Sequence, residues 1–198
     1  MKQITAFDFD GTITNKDTFV EFIKFSRGKC RFYMAVLIFL PLLTAMKLKI
    51  YPNWKVKQRI FSYFFKGTKQ KDFDYLCEKF CNQSEYLLRK KAIEAINQHI
   101  ENGDILVIVS ASIENWVRFF AQKLNIPIIL CTKIEIDVND CITGYFSTKN
   151  CYGQEKVNRF LKEFPDRKSY ELTAYGDSKG DKELLNFSNK SHYKTFKR

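Results

Sequence analysis

The chain has 198 residues, of which 45% are hydrophobic and 16% aromatic, with only 8 Gly and 4 Pro. That is enough apolar material for the core of one domain plus a modest insertion, and it excludes a disordered or low-complexity chain. The formal net charge of +11 is concentrated rather than spread: residues 16–71 hold 13 Lys/Arg against Asp17 and Glu21, and the remainder balances. Such a local excess points to a negatively charged partner, whether nucleic acid, an anionic membrane or a phosphorylated substrate.

Residues 3–9 (QITAFDF) read as a short strand that ends in the turn Asp10-Gly11-Thr12. From about 16 to 83 the pattern is helical and basic, without strand alternation. It contains Phe32–Met46, fifteen residues without a charge. A transmembrane helix needs roughly 20 apolar residues, and Pro41 interrupts this run, so a full span is not expected. A buried helix and an apolar surface resting in a lipid interface both remain open. Ser84 is a suitable N-cap for a helix reaching about Asn102, with Leu88, Ala92, Ala95, Ile96 and Ile100 on its apolar face and Gly103 as its stop. Ile105–Val109 (ILVIV) reads as a central parallel strand covered on both faces. A helix over Glu114–Leu124 then leads to a strand at Ile126–Cys131. Ile134–Val138 and Ile142–Phe146 read as a hairpin or edge strands. A helix at Gly153–Phe164, a strand at Tyr170–Tyr175, a short helix at Asp181–Phe187 and a strand at His192–Phe196 complete the chain.

Alternation of strand and helix from residue 84, with a lone strand at the start, predicts an α/β doubly wound parallel sheet. Residues 1–15 and 84–198 would form the core, and 16–83 a helical insertion after the first strand. The six cysteines form no CxxC pair or Cys/His cluster, so free thiols are expected in a cytoplasmic protein. No signal peptide is expected ahead of the first strand.

Chemistry in such a sheet gathers at the carboxyl ends of the strands, where Asp8, Ser110 and Asp177 all fall. Asp8 and Asp10, two residues apart, can point into one mouth of the sheet, and Gly11 allows the backbone a close approach to an anion. Ser110 and the N–H of Ala111 could hydrogen-bond phosphate oxygens, or Ser110 could simply cap the next helix. Lys156, at a helix start in CYGQEK, could neutralise phosphate charge. Asp177 and Asp181 suit a hard cation with oxygen ligands, or could cap a helix.

The ordered set DFDGT, apolar run then Ser, Lys, and GDSKGD resembles the haloacid dehalogenase-like (HAD) phosphatases over nearly the whole chain. The insertion is similar to the C1 cap of phosphoserine phosphatase-like members, subfamily IB. That resemblance implies Asp8 as nucleophile and Asp10 as general acid and base. It implies Mg²⁺ held by Asp8, the Asp10 main-chain carbonyl and Asp177, with Asp181 as an outer or orienting group. Phosphate would be held by Ser110, Lys156 and backbone groups around Gly11, Thr12 and Ala111.

For the substrate, Asp17 stands where phosphoserine phosphatases carry a Glu that binds the substrate amine; it could equally cap the helix beginning at Thr18. The insertion itself resembles that of phosphatidylglycerophosphatase C, through Leu37–Leu43, Lys47, Lys49, Trp54 and the Cys151–Val157 stretch. A small soluble phosphomonoester and a lipid head-group phosphate therefore both stand as expected substrates. A location in the cytoplasm, with peripheral contact to an anionic inner-membrane surface, would fit either. A nucleic-acid-binding module would explain the basic segment but leaves Asp8, Asp10, Asp177 and Asp181 without a purpose. An interaction protein that had lost catalysis need not retain every one of these residue types.

Overall fold

The computed structural model describes residues 1–197. Its central sheet has five parallel strands in the order β3-β2-β1-β6-β7, formed by β1 (Lys2–Phe7), β2 (Ile105–Ile113), β3 (Ile128–Thr132), β6 (Tyr170–Gly176) and β7 (Lys190–Tyr193). A separate antiparallel ribbon joins β4 (Ile134–Ile136) to β5 (Ile142–Phe146). The doubly wound α/β class expected from the sequence is the one observed.

Side chains alternate across each strand, which divides the core in two. Ile4, Ala6, Val107, Val109, Leu172 and Ala174 lie in one cluster, covered by α8 (Gln154–Glu163) and α9 (Lys182–Phe187). Phe7, Leu106, Ile108 and Tyr175 belong to the other, under α6 (Lys90–Glu101) and α7 (Glu114–Lys123). Burial on both faces is why these strands read as unbroken apolar runs.

Residues 18–83 form five helices: α1 (Thr18–Arg27), α2 (Lys29–Ile38), α3 (Leu40–Lys47), α4 (Asn53–Phe65) and α5 (Gln70–Gln83). They do not own a separate core. Phe22 on α1 stacks on Trp116 of α7 with ring centroids 4.9 Å apart, and Phe80 on α5 meets Phe120 edge-on at 5.8 Å. Phe22, Phe61, Phe65, Phe73 and Phe80 thus continue the cluster that begins under the sheet. The β4–β5 ribbon packs on α4, where Phe61 lies 5.9 Å from Phe146.

Several boundaries differ from expectation. Ser84 caps no helix N-terminus; it is buried at the end of α5, and a short turn at Glu85–Leu87 precedes α6. The reason is a tether: Asn15 N donates to Leu87 O (2.8 Å) and Arg89 N to Ile13 O (2.9 Å), which ties both crossings between core and insertion together. β2 extends past Val109 to Ile113, so Ser110 is not a helix cap; Ile113 precedes α7 without a side-chain cap. The last strand is shifted two residues earlier, and Thr195–Lys197 turn back beneath β6 as a short helical turn in which Phe196 stacks on Tyr175 at 5.1 Å. No single helix among the described residues is long and apolar enough to cross a membrane; α2 and α3 together are, but they are bent by 67°.

Candidate active site

Register fixes where the strand tips meet. Phe7 lies level with Ile108 on one side and Tyr175 on the other. Asp8 therefore emerges between β2, where Ser110 lies two residues beyond Ile108 and inside the strand rather than at its end, and Asp177, which directly follows β6. Asp8 N donates to Tyr175 O (2.9 Å), which holds the departing chain against β6. At Gly11 the backbone takes φ +82°, and a Cβ there would lie 2.5 Å from Asp177 Oδ2. Glycine is required at this position on both counts.

Lys156, on the first turn of α8, is wholly buried and donates from Nζ to Asp8 Oδ1 (2.7 Å) and Asp181 Oδ1 (2.5 Å). The other oxygen of Asp181 accepts from Asp177 N (3.1 Å), Ser178 N (2.9 Å) and Ser178 Oγ (2.8 Å). Both of its oxygens are committed to holding the loop and the lysine, and the helix-capping alternative is also true of it, within a capping box with Ser178. Ligand atoms of Asp8, Asp177 and Asp181 lie within 4.8 Å of one another.

The balance of charge here is unfavourable as it stands. Burial, opposed by the Lys156 ammonium, pushes Asp8 from 3.8 up to about 7. Burial also raises Asp181, but Lys156 and the Ser178 hydrogen bonds outweigh it and hold that carboxyl below its usual value. Burial alone would lower Lys156, yet Asp8 and Asp181 lift it well above the usual lysine value. Asp177 Oδ1 is buried without a hydrogen-bond partner, while its Oδ2 meets Lys197 Nζ at 2.5 Å. An orphaned carboxylate oxygen beside a carboxyl strained toward protonation fits a hard, oxygen-seeking cation such as Mg²⁺.

Asp10 points away from this cluster and toward the helical insertion. It accepts from Thr18 N (2.8 Å), Thr18 Oγ1 (2.6 Å) and, by a very short hydrogen bond, Ser112 Oγ. Burial and the charge of Asp17 raise its carboxyl to about 6, despite Lys57 and these hydrogen bonds. Its side chain is not among the clustered carboxylates, so any part in holding a cation falls to its backbone. Asp17 caps α1, accepting from Val20 N (3.1 Å), and also lines the cavity above the site. Ser110 is buried in the cavity floor, its Oγ accepting from Ser112 N (3.1 Å), and Ala111 lies beside it. Thr12 lies in the turn after Asp10, and its hydroxyl is buried without a partner.

The cavity measures about 430 Å³. Asp8, Asp10, Ser110, Lys156 and Asp181 line its floor, while the helical insertion supplies a wall that includes Phe19, Val36, Leu43, Met46, Trp54 and Ile60. Three contributors were not legible beforehand. Lys57 reaches from α4 to donate to Ala111 O (2.9 Å) and lies over the Phe19 ring. Thr18 and Ser112 fix Asp10. Only Ser112 left a trace in the sequence, as a second hydroxyl two residues after Ser110 in a strand.

The sequence profile of haloacid dehalogenase-like hydrolases matches residues 5–186. The chain belongs to that family. Among curated relatives of this HAD-like hydrolase, Protein CicA of Caulobacter vibrioides is 32% identical over 196 residues, covering 98% of this chain and 86% of that one. Among solved structures, a protein of unknown function from Bordetella pertussis Tohama I superposes with a TM-score of 0.84 at 16% identity, covering 96% of this chain and 89% of that chain. A phosphoserine phosphatase captured as a phospho-aspartyl intermediate analogue superposes with a TM-score of 0.68 at 14% identity, covering 99% and 90%. The HAD-like chain thus shares the phosphoserine phosphatase fold.

Proposed function

We propose that this chain is a Mg²⁺-dependent phosphomonoester hydrolase that works through an aspartyl-phosphate on Asp8. The observation that carries the reading is the carboxylate cluster at the strand tips: Asp8 and Asp181 share the buried Lys156 ammonium, and Asp177, whose ligand atom lies within 4.8 Å of theirs, keeps its buried Oδ1 unpartnered. The similarity in fold to a phosphoserine phosphatase solved as a phospho-aspartyl intermediate analogue supports it. Residues 16–83 would act as the cap over a core made of 1–15 and 84–198.

In the first half-reaction a carboxylate oxygen of Asp8 attacks phosphorus, and the phosphorus–ester oxygen bond breaks. Asp10, raised to about 6 by burial, is suited to carry the proton that the leaving alkoxide needs. In the second, Asp10 takes a proton from water as that water attacks the phosphoryl group. Inorganic phosphate leaves and the Asp8 carboxylate is restored. Thr18 and Ser112 hold Asp10 for both transfers. Lys156, Ser110 and backbone groups near Gly11, Thr12 and Ala111 would bind phosphoryl oxygens, with Lys156 also opposing protonation of Asp8. Asp8, Asp177 and the Asp10 carbonyl would hold Mg²⁺, which supplies positive charge against the repulsion between a carboxylate and a phosphate dianion. Asp181 orients Lys156 and the Asp177 loop.

The wall of the cavity bears on the substrate. Asp17, Asn53 and Lys57 also line it, but Phe19, Val36, Leu43, Met46, Trp54 and Ile60 make the wall mainly apolar, and an apolar chain would lose water against them. Asp17 lines the cavity but spends one carboxylate oxygen on capping α1, which competes with a role as amine receptor. An amphiphilic phosphomonoester, such as the phosphorylated head group of phosphatidylglycerophosphate, is therefore favoured over phosphoserine. A panel of phosphate esters with and without acyl chains tests this. Higher kcat/KM for the acylated esters is expected, and a preference for phosphoserine would reverse the assignment.

A further inference from the structure

We propose that the outer face of α2 and α3, together with the segment running on to Trp54, docks on the surface of an anionic lipid bilayer. These two helices are apolar on nearly every side. Their inner residues Val36, Leu43 and Met46 line the catalytic cavity. Their outer residues Tyr33, Met34, Leu37, Ile38 and Leu40 face solvent, with Leu37 70% exposed, and Ile50 beyond them is 74% exposed. Helices apolar all round are normally buried, and a contiguous exposed patch of this kind marks a surface that meets something apolar.

Charge selects the occupant. No Asp or Glu occurs between Glu21 and Asp72, and the patch is flanked by exposed Lys29, Arg31, Lys47 and Lys49. A second copy of the chain would bring the same cations against each other. An anionic bilayer instead offers hydrocarbon to the patch and phosphate groups to its rim. The geometry favours lying on the membrane over crossing it. Helices of 10 and 8 residues rise about 15 and about 12 Å. Bent by 67°, they reach about 23 Å end to end, against a hydrocarbon core of about 30 Å. The same two helices that would touch lipid on one side roof the cavity on the other, which would let an amphiphilic ester reach Asp8 without passing through water. That last consequence rests on the function proposed above; the docking does not.

Sedimentation with vesicles of phosphatidylcholine, with and without phosphatidylglycerol, tests the docking on the full chain. The wild type should partition onto the vesicles containing phosphatidylglycerol at low salt and release as salt rises. A Lys47→Gln/Lys49→Gln variant should bind roughly thirtyfold more weakly, at the usual worth of two surface cations. Leu37→Glu/Leu40→Glu should lose binding while keeping a wild-type circular dichroism spectrum and wild-type turnover of a small aryl phosphate. Asp8→Asn should bind vesicles like the wild type, so a failed catalytic assignment leaves this result untouched. The proposal is overturned if the wild type ignores vesicles, if it binds neutral and anionic vesicles alike, if the charge or apolar variants bind undiminished, or if the patch proves to join two copies of the chain in sedimentation equilibrium.

Discussion

Replacing Lys156 by Met preserves most of the side chain's volume but removes an ammonium buried between Asp8 and Asp181, at 2.7 and 2.5 Å. Breaking a buried ion pair from one side costs about 3–5 kcal/mol, because the partner charge is left without compensation. Here two carboxylates lose the same partner, so the upper part of that range applies. Against a total stability of about 5–15 kcal/mol, the loss is a large fraction. Urea unfolding in the presence of a chelator should show it as a lowered midpoint at unchanged slope. Adding Asp8→Asn to Lys156→Met removes one of the stranded charges and should restore about 1–3 kcal/mol, a coupling within the range for residues in contact. Turnover should fall by about 10² or more in the single variant and stay lost in the double. A Lys156→Met protein as stable as the wild type, or a double variant no more stable than the single, would refute the buried three-membered charge cluster.

The raised Asp8 and Asp10 values set a pH dependence. Folded Asp8 and Asp10 hold their protons up to about 7 and about 6, whereas the unfolded groups release theirs near 3.8. The folded state therefore binds more protons across that window, and stability of the metal-free protein should fall as pH rises from about 4 to 7. Asp181 is shifted the other way, so its contribution changes only below its usual value, outside the window. Millimolar Mg²⁺ should raise the melting temperature most at the alkaline end; the same increment at every pH would contradict the shared cluster. At the cap–core seam, Phe22→Ala should cost about 3–5 kcal/mol and alter Trp116 fluorescence, since the two rings stack at 4.9 Å. A cost below about 1 kcal/mol would mean that the insertion does not share its core with the sheet.

The strands of the parallel sheet were readable because burial on both faces leaves continuous β-branched and apolar runs, as in Ile105–Val109; their order was not. The candidate site was legible for a related reason: Asp8 and Asp177 stand at strand tips, and the sequence marks those tips where apolar runs stop. Lys156 was recoverable only through the family pattern, because nothing local distinguishes it from the other basic residues. What remained hidden depends on long-range packing. The start of α6 at Lys90 follows from hydrogen bonds to Ile13 and Leu87 across the joint, not from the capping potential of Ser84. Lys57 acquires its place because α4 lies over Ala111. The shared aromatic core of insertion and sheet was likewise invisible, since Phe22 and Trp116 are far apart in sequence and each fits an ordinary amphipathic helix.

Rapid acid quenching during turnover of an acylated phosphate ester, followed by peptide mass spectrometry, asks the most direct question of the site. A phosphoryl group is expected on the peptide containing Asp8, and it should be absent from the Asp8→Asn protein and from reactions lacking Mg²⁺. Steady hydrolysis with no phosphoryl adduct on Asp8, or undiminished turnover by Asp8→Asn, would contradict the nucleophile on which the proposed mechanism rests.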